Sequence, residues 1–353
     1  MYNMQERVKG RPSLFAANGL YLLAAMGLWI AALFNGMLQP LLPGATAEQM
    51  ILLVSVLYYG PFLVLPALIY VGRRDCAEDA LRLQPIGFFT MLRVAVIAVL
   101  ALLIVQDVTM LWMILCQKLG MNVFTDTYVR PASTAELTLS VVSAAILAPV
   151  GEELVFRGVM LSARERRGAR KAVVATAVLF ALLHSSFIGL PGELFGGILL
   201  GLLVLWTNSI YAGLVFHSVY NAAGVIQNYL STAVAADAAE EALMQSDLLA
   251  YLGGGETLVL LVMDVLLMLV VVSLLTRKLR LGYALKNLVS GLKEGERLQA
   301  VDPKLVFRPG LLFGEPDPED CAPMSTGAAL VLMAGIVSTL CMYAFDLISM
   351  LGG

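Results

Sequence analysis

Apolar runs of about 20 residues follow one another along most of this chain, and no other feature constrains its folding as strongly. Within a bilayer no water is present to bond backbone N–H and C=O groups, so a crossing segment must satisfy them itself, as a helix does. On that measure helices are predicted near 14–39, 50–71, 88–115, 134–161, 172–188, 194–207, 210–230, 256–275 and 327–350. The expected fold class is all-α, a polytopic membrane helix bundle of about 8–9 transmembrane helices. A composition of 59% hydrophobic and 14% charged residues agrees with it. The first run is too long for a signal-peptide core, so it reads as a retained helix.

The runs divide the chain into expected segments. Residues 1–133 hold three N-terminal helices, and 134–230 form a core of four. An outer loop and an eighth helix occupy 231–275, a cytoplasmic linker 276–326, and an additional C-terminal helix 327–353, read as an appendage to the core. The links Gly189-Leu190-Pro191-Gly192-Glu193 and Thr207-Asn208-Ser209 predict tight turns, so helices five to seven form one compact unit. Ala148-Pro149-Val150-Gly151 predicts a kink, because proline removes a backbone donor and glycine weakens the turn.

Lysine and arginine set the expected orientation. With the N-terminus inside, the segments Met1–Ser13, Gly72–Gly87, Ser162–Lys171 and 276–326 carry 19 of the 23 basic residues. The loop 231–255 carries none, but it has Asp237, Glu240, Glu241 and Asp247. This places a multi-pass protein in the cell membrane with a cytoplasmic N-terminus. Arg277-Lys278-Leu279-Arg280 can touch anionic membrane lipids, although ordinary positive-inside flanking is the favoured account of it. A net charge of −3 without basic–aromatic interleaving excludes a nucleic-acid partner. Four scattered cysteines without C-x-x-C spacing form neither a disulfide framework nor a cysteine metal site.

Chemistry concentrates in Gly151-Glu152-Glu153-Leu154-Val155-Phe156-Arg157, inside the fourth run. Ionised groups at a helix centre cost about 2.5–3.5 kcal/mol each on insertion, which makes them functional candidates. Glu153 and Arg157 are i and i+4 on one face and can neutralise each other as a structural pair. Glu152 points about 100° away and has no partner within the stretch, which leaves it for chemistry. The chain's two histidines, His184 and His217, both fall in apolar runs. His217 and Asn221 are again i and i+4. At 1.5 Å per residue, Glu152, His184 and His217 lie roughly 15, 18 and 10 Å from the inner surface, near enough in depth to converge. Phe156, Phe180 and Tyr220 read as packing around them.

Glu-Glu-x-x-x-Arg, Phe-x-x-x-His and His-x-x-x-Asn, in order on successive helices, resemble the type II CAAX prenyl endopeptidase and bacteriocin-processing (CPBP) family of intramembrane metalloproteases. The resemblance spans roughly 134–230. It implies Glu152 as the base that activates water, with His184, His217 and Asn221 completing the catalytic set. The histidines and Asn221 would bind a divalent metal, zinc being one choice, or stabilise the oxyanion. As metal ligands the resemblance offers His184 and His217. It also implies a lipid-modified or small membrane-associated peptide substrate, cut from the cytoplasmic side. Burial makes a carboxylate a better base, and an asparagine N–H can support an oxyanion, so the residues permit this chemistry. Three zinc ligands would enlist Glu152, in tension with its role as free base. A family member without activity would instead be a membrane scaffold or bacteriocin-immunity protein. The two histidines are too far apart for His-Glu-x-x-His, and Gly-x-Ser-x-Gly is absent, which argues against other intramembrane classes. The four polar side chains are expected within about 4–8 Å of one another.

Overall fold

The computed structural model describes residues 12–72, 81–123, 131–231, 259, 262–271 and 324–351. The outer loop, most of the cytoplasmic linker and the start of the chain lie outside the described residues. The helices are α1 (Leu14–Leu38), α2 (Ala47–Gly72), α3 (Phe88–Lys118), α4 (Thr134–Arg164), α5 (Ala169–Leu183), α6 (Leu190–Thr207), α7 (Ile210–Leu230), α8 (Val262–Val271) and α9 (Thr326–Leu351). The described residues contain no strand, and Leu83 and Ser209 make a single antiparallel bridge. The fold is the all-α bundle expected from the apolar runs. Among the described residues six helices, α1 to α4, α6 and α9, are long and apolar enough to cross a membrane. This is a multi-pass membrane protein.

Helix starts follow from capping chemistry. Ser13, Ser133 and Ser209 each accept a bond from a backbone N–H of the first turn, and Thr46 forms a reciprocal capping box with Gln49. Prolines inside helices leave another mark. Tyr59–Val64 of α2 surrounds Pro61, and both sides of Pro149 in α4 (Ser143–Leu147 and Glu153–Met160) are wound as wide π-type turns. The irregularity expected at Pro149 is therefore a pair of wide turns, which re-register the backbone around the missing N–H.

α4 lies at the centre and packs against α1, α2, α5, α6 and α7. α5 and α6 form a close pair. A Cβ built on Gly197 would lie 3.0 Å from Ala177 Cα, so only glycine permits this approach. From α1, Tyr21 meets Phe156 edge-on at 6.4 Å, and Phe156 meets Phe180 of α5 at 5.2 Å. All three rings are buried. This aromatic chain fixes α5 against α4 just below His184.

Three links meet at one end of the bundle. Arg82 pairs with Glu165 and donates to Asn208 Oδ1 at 3.0 Å, while Ser209 Oγ donates to Gln84 O. The α2–α3, α4–α5 and α6–α7 connections therefore share one side. At the other end, the Asn122 N–H after α3 bonds Met350 O of α9 at 2.7 Å.

Two expectations need correction. Helix α5 does not run to 188: it ends at Leu183 with His184 as its cap, and Ser185 adopts a left-handed conformation (φ 52). Its 15 residues span roughly 22 Å, short of the bilayer core. The tight turn is thus Ser185–Gly189, and Leu190-Pro191-Gly192-Glu193 is already the first turn of α6, where proline's missing N–H costs nothing. Nor is α9 an appendage, because polar side chains of α1 need partners where no water is present. Asn18 Nδ2 donates to Ala328 O at 2.8 Å, Tyr21 Oη bonds Thr339 Oγ1 at 3.2 Å, and Trp29 Nε1 donates to Ser338 Oγ at 3.1 Å.

Candidate active site

Glu152 is buried in α4, where Gly151 lets α2 approach; a Cβ there would lie 3.1 Å from the Tyr59 ring. The Tyr59 hydroxyl donates to Glu152 Oε1 at 3.2 Å. Oε2 has no hydrogen-bond partner, yet His184 Nε2 lies 3.7 Å and His217 Nε2 3.8 Å from it. A buried carboxylate oxygen thus faces two imidazole nitrogens without a hydrogen bond to either.

Both rings are held from behind. His184 Nδ1 lies 2.8 Å from Phe180 O, one turn earlier in its own helix. A carbonyl only accepts, so Nδ1 carries a hydrogen and Nε2 is the nitrogen turned toward Glu152. His217 Nδ1 lies 3.0 Å from Glu153 Oε1, with the same consequence. Glu153 therefore has two partners, since Arg157 Nη1 also donates to Oε1 at 2.9 Å. Arg157 in turn sits over the Phe180 ring with Cζ 4.2 Å from its centroid, and all three groups are buried. Phe180 does more than pack. Its carbonyl orients His184, and its ring faces the arginine that neutralises Glu153.

Asn221 is tied to α4 for a reason that the wide turn supplies. The Ala148 N–H bonds Ser143 O, five residues back. In that register Pro149 would bond Ala144 O, but it has no N–H. Asn221 Nδ2 donates to Ala144 O instead, at 2.7 Å. One amide hydrogen of Asn221 thus has a structural duty.

The structure brings Glu152, His184 and His217 together and ties Asn221 to the Ser143–Leu147 turn of α4. Sequence reasoning missed Tyr59, the second role of Glu153, and Glu193, whose Oε2 lies 3.5 Å from His184 Nε2. The only signal for Glu193 was a lone acid opening an apolar helix. Nothing near Tyr59 in sequence pointed to Glu152.

Among the described residues no group of three or more histidine, cysteine, aspartate or glutamate side chains is arranged to hold a metal ion. The donor chemistry at Glu152 is nonetheless of the right kind. Two Nε2 atoms have their Nδ1 partners held by acceptors, as ligating histidines usually do, and they flank a carboxylate oxygen without a partner.

These features define a class: a polytopic helical membrane protein with a glutamate–histidine site enclosed by its helices. Residues 134–223 match the family model described as type II CAAX prenyl endopeptidase Rce1-like, so the resemblance carried by the three motifs is shown over that segment. At the coarse level this marks α4 to α7 as protease-like. Comparison with curated proteins and with solved structures gave no match.

Proposed function

We propose that this protein is an intramembrane endopeptidase that uses Glu152 to activate water, cutting near the C-terminus of a prenylated or small membrane-associated polypeptide. The observation that carries the reading is the unpartnered Glu152 Oε2 facing two imidazole Nε2 atoms at 3.7 and 3.8 Å. A buried carboxylate oxygen without a bond is costly, and polar groups in the bilayer that persist at such cost are functional candidates.

In the proposed reaction Glu152 Oε2 takes a proton from water as the water oxygen attacks the peptide carbonyl carbon. The tetrahedral oxyanion faces the second amide hydrogen of Asn221 and the imidazole edges. When the C–N bond breaks, Glu152 returns its proton to the leaving amine, which balances the step. Tyr59 holds the far oxygen of Glu152, and Glu153 and the Phe180 carbonyl keep both rings presenting Nε2. His184 and His217 would hold a divalent metal such as zinc, which when bound polarises the carbonyl and acidifies water. The strong positive-inside bias supports a site served from the cytoplasm, where lipid-modified C-termini are found.

The test is cleavage of a farnesylated C-terminal peptide by the protein purified in detergent, with elemental analysis of the same preparation. Cleavage that disappears in Glu152→Gln is expected. A folded wild type that never cleaves would favour the scaffold or immunity role instead.

A further inference from the structure

The turn that carries His184 poses a problem that the core helices do not solve. Non-helical backbone at membrane depth is tolerated only where protein groups satisfy it. In Ser185–Gly189, Ser185 adopts the left-handed region that side chains other than glycine disfavour. Some of its bonds are local, from the Ser185 N–H to Leu182 O and from the Gly189 N–H to Ser186 Oγ, and further ones around it come from outside α4 to α7. Tyr343 Oη donates to Ala181 O at 2.8 Å, and Asp346 Oδ2 accepts the Phe187 N–H at 2.7 Å. Trp112 Nε1 donates to Phe187 O at 2.9 Å. Tyr343 and Asp346 are i and i+3 on one face of α9, and they hold the last turn of α5 and the middle of the Ser185–Gly189 turn.

We propose that Asp346 and Tyr343 of α9 are positioning residues for the active site, holding the Ser185–Gly189 turn so that His184 presents Nε2 to Glu152. The proposal rests on the reading of Glu152, His184 and His217 as a peptidase site. It makes the C-terminal helix, outside the segment that matches the family, a working part of the site. Without Asp346 the Phe187 N–H has no acceptor. The turn must then rotate to find one, and His184 is displaced with it because, as the cap of α5, its backbone runs directly into Ser185.

The chain's two histidines make this measurable. Nitrogen-15 labelling of histidine in the full-length protein in detergent gives two imidazole spin systems, assigned with His217→Gln. Asp346→Ala is expected to shift the His184 resonances and leave those of His217 in place. On a farnesylated peptide it should lower kcat about 10- to 100-fold with KM within about twofold, the scale of an ångström-sized misplacement. Asp346→Asn keeps an oxygen acceptor and should restore both readouts. Tyr343→Phe should move the same resonances less, with a smaller loss of kcat, and it carries the test if Asp346→Ala does not fold. Unmoved His184 resonances would overturn the proposal, as would equal movement of both histidines with no rescue by asparagine. A wild type that never cleaves the peptide, while His184 still follows Asp346, would sink the peptidase reading and leave the positioning contact standing.

Discussion

His217 Nδ1 lies 3.0 Å from Glu153 Oε1, the same oxygen that neutralises Arg157 at 2.9 Å. The second glutamate of the motif is therefore more than the counter-ion of an arginine. It sets the tautomer and angle of the imidazole that faces the first glutamate. Two adjacent residues of one helix thus stand on either side of one imidazole, in a chain running Arg157, Glu153, His217, Glu152.

Glu153→Gln should damage both stability and turnover. Arg157 would be left buried without a counter-charge, and breaking such a pair typically costs about 3–5 kcal/mol. Thermal unfolding in detergent should show a clear fall in Tm, together with a loss of peptidase activity. An unchanged Tm would mean that the pair contributes nothing to the fold.

Glu152→Gln should behave in the opposite way. Oε2 makes no hydrogen bond that the fold needs, and Tyr59 can still donate to the amide oxygen. Activity should fall at least about a hundredfold, within the usual range for loss of a general base, while Tm stays the same or rises. A fully active variant removes Glu152 from the mechanism.

Gly213→Ala tests the seam between α7 and α4. A Cβ there would lie 2.5 Å from Glu153 Oε2 and 3.0 Å from Val204 Cγ2. The buried carboxylate has little freedom to yield, so about 1–3 kcal/mol of stability should be lost. The His217 imidazole should move in the same variant, visible in its nitrogen resonances. A variant with wild-type Tm and activity would show that the helices can separate at no cost.

Tyr59→Phe removes one bond from the carboxylate and almost no volume. A hydrogen bond to a charged group contributes about 1.5–3 kcal/mol, so kcat should drop by roughly tenfold or more with the protein still folded. Equal kcat in the two proteins would exclude Tyr59 from orienting Glu152.

Topology can be tested with single cysteines in a background without native thiols. Lys171 lies just past the basic α4–α5 link, and Leu119 is exposed at the far end of α3. An impermeant maleimide applied to intact cells should label Leu119→Cys but not Lys171→Cys. The reverse pattern would turn the bundle over and place the site toward the exterior.

Local sequence determined the helices and the chemistry at stake. A run of some 20 apolar residues has one way to satisfy its backbone in a bilayer, so α1 to α4, α6 and α9 were legible from hydropathy. Helical spacing likewise put Glu153 beside Arg157, because i and i+4 neighbours meet on any α-helix. The family resemblance came from motifs within single helices, and its match is confined to residues 134–223.

The tertiary structure decided everything that depends on one helix reaching another. Tyr59 is 93 residues from Glu152, and Asp346 is 159 from Phe187, and no periodicity encodes such distances. Asn221 serves Ala144 only because a wide turn at Pro149 leaves that carbonyl without a donor. His184 closes α5 rather than sitting inside it, because its ring bonds the Phe180 carbonyl and α9 holds the turn beyond. In a bilayer a polar group without a partner in the protein is costly. The sequence marks which groups are polar, and only the packing of the helices decides where each one finds its bond.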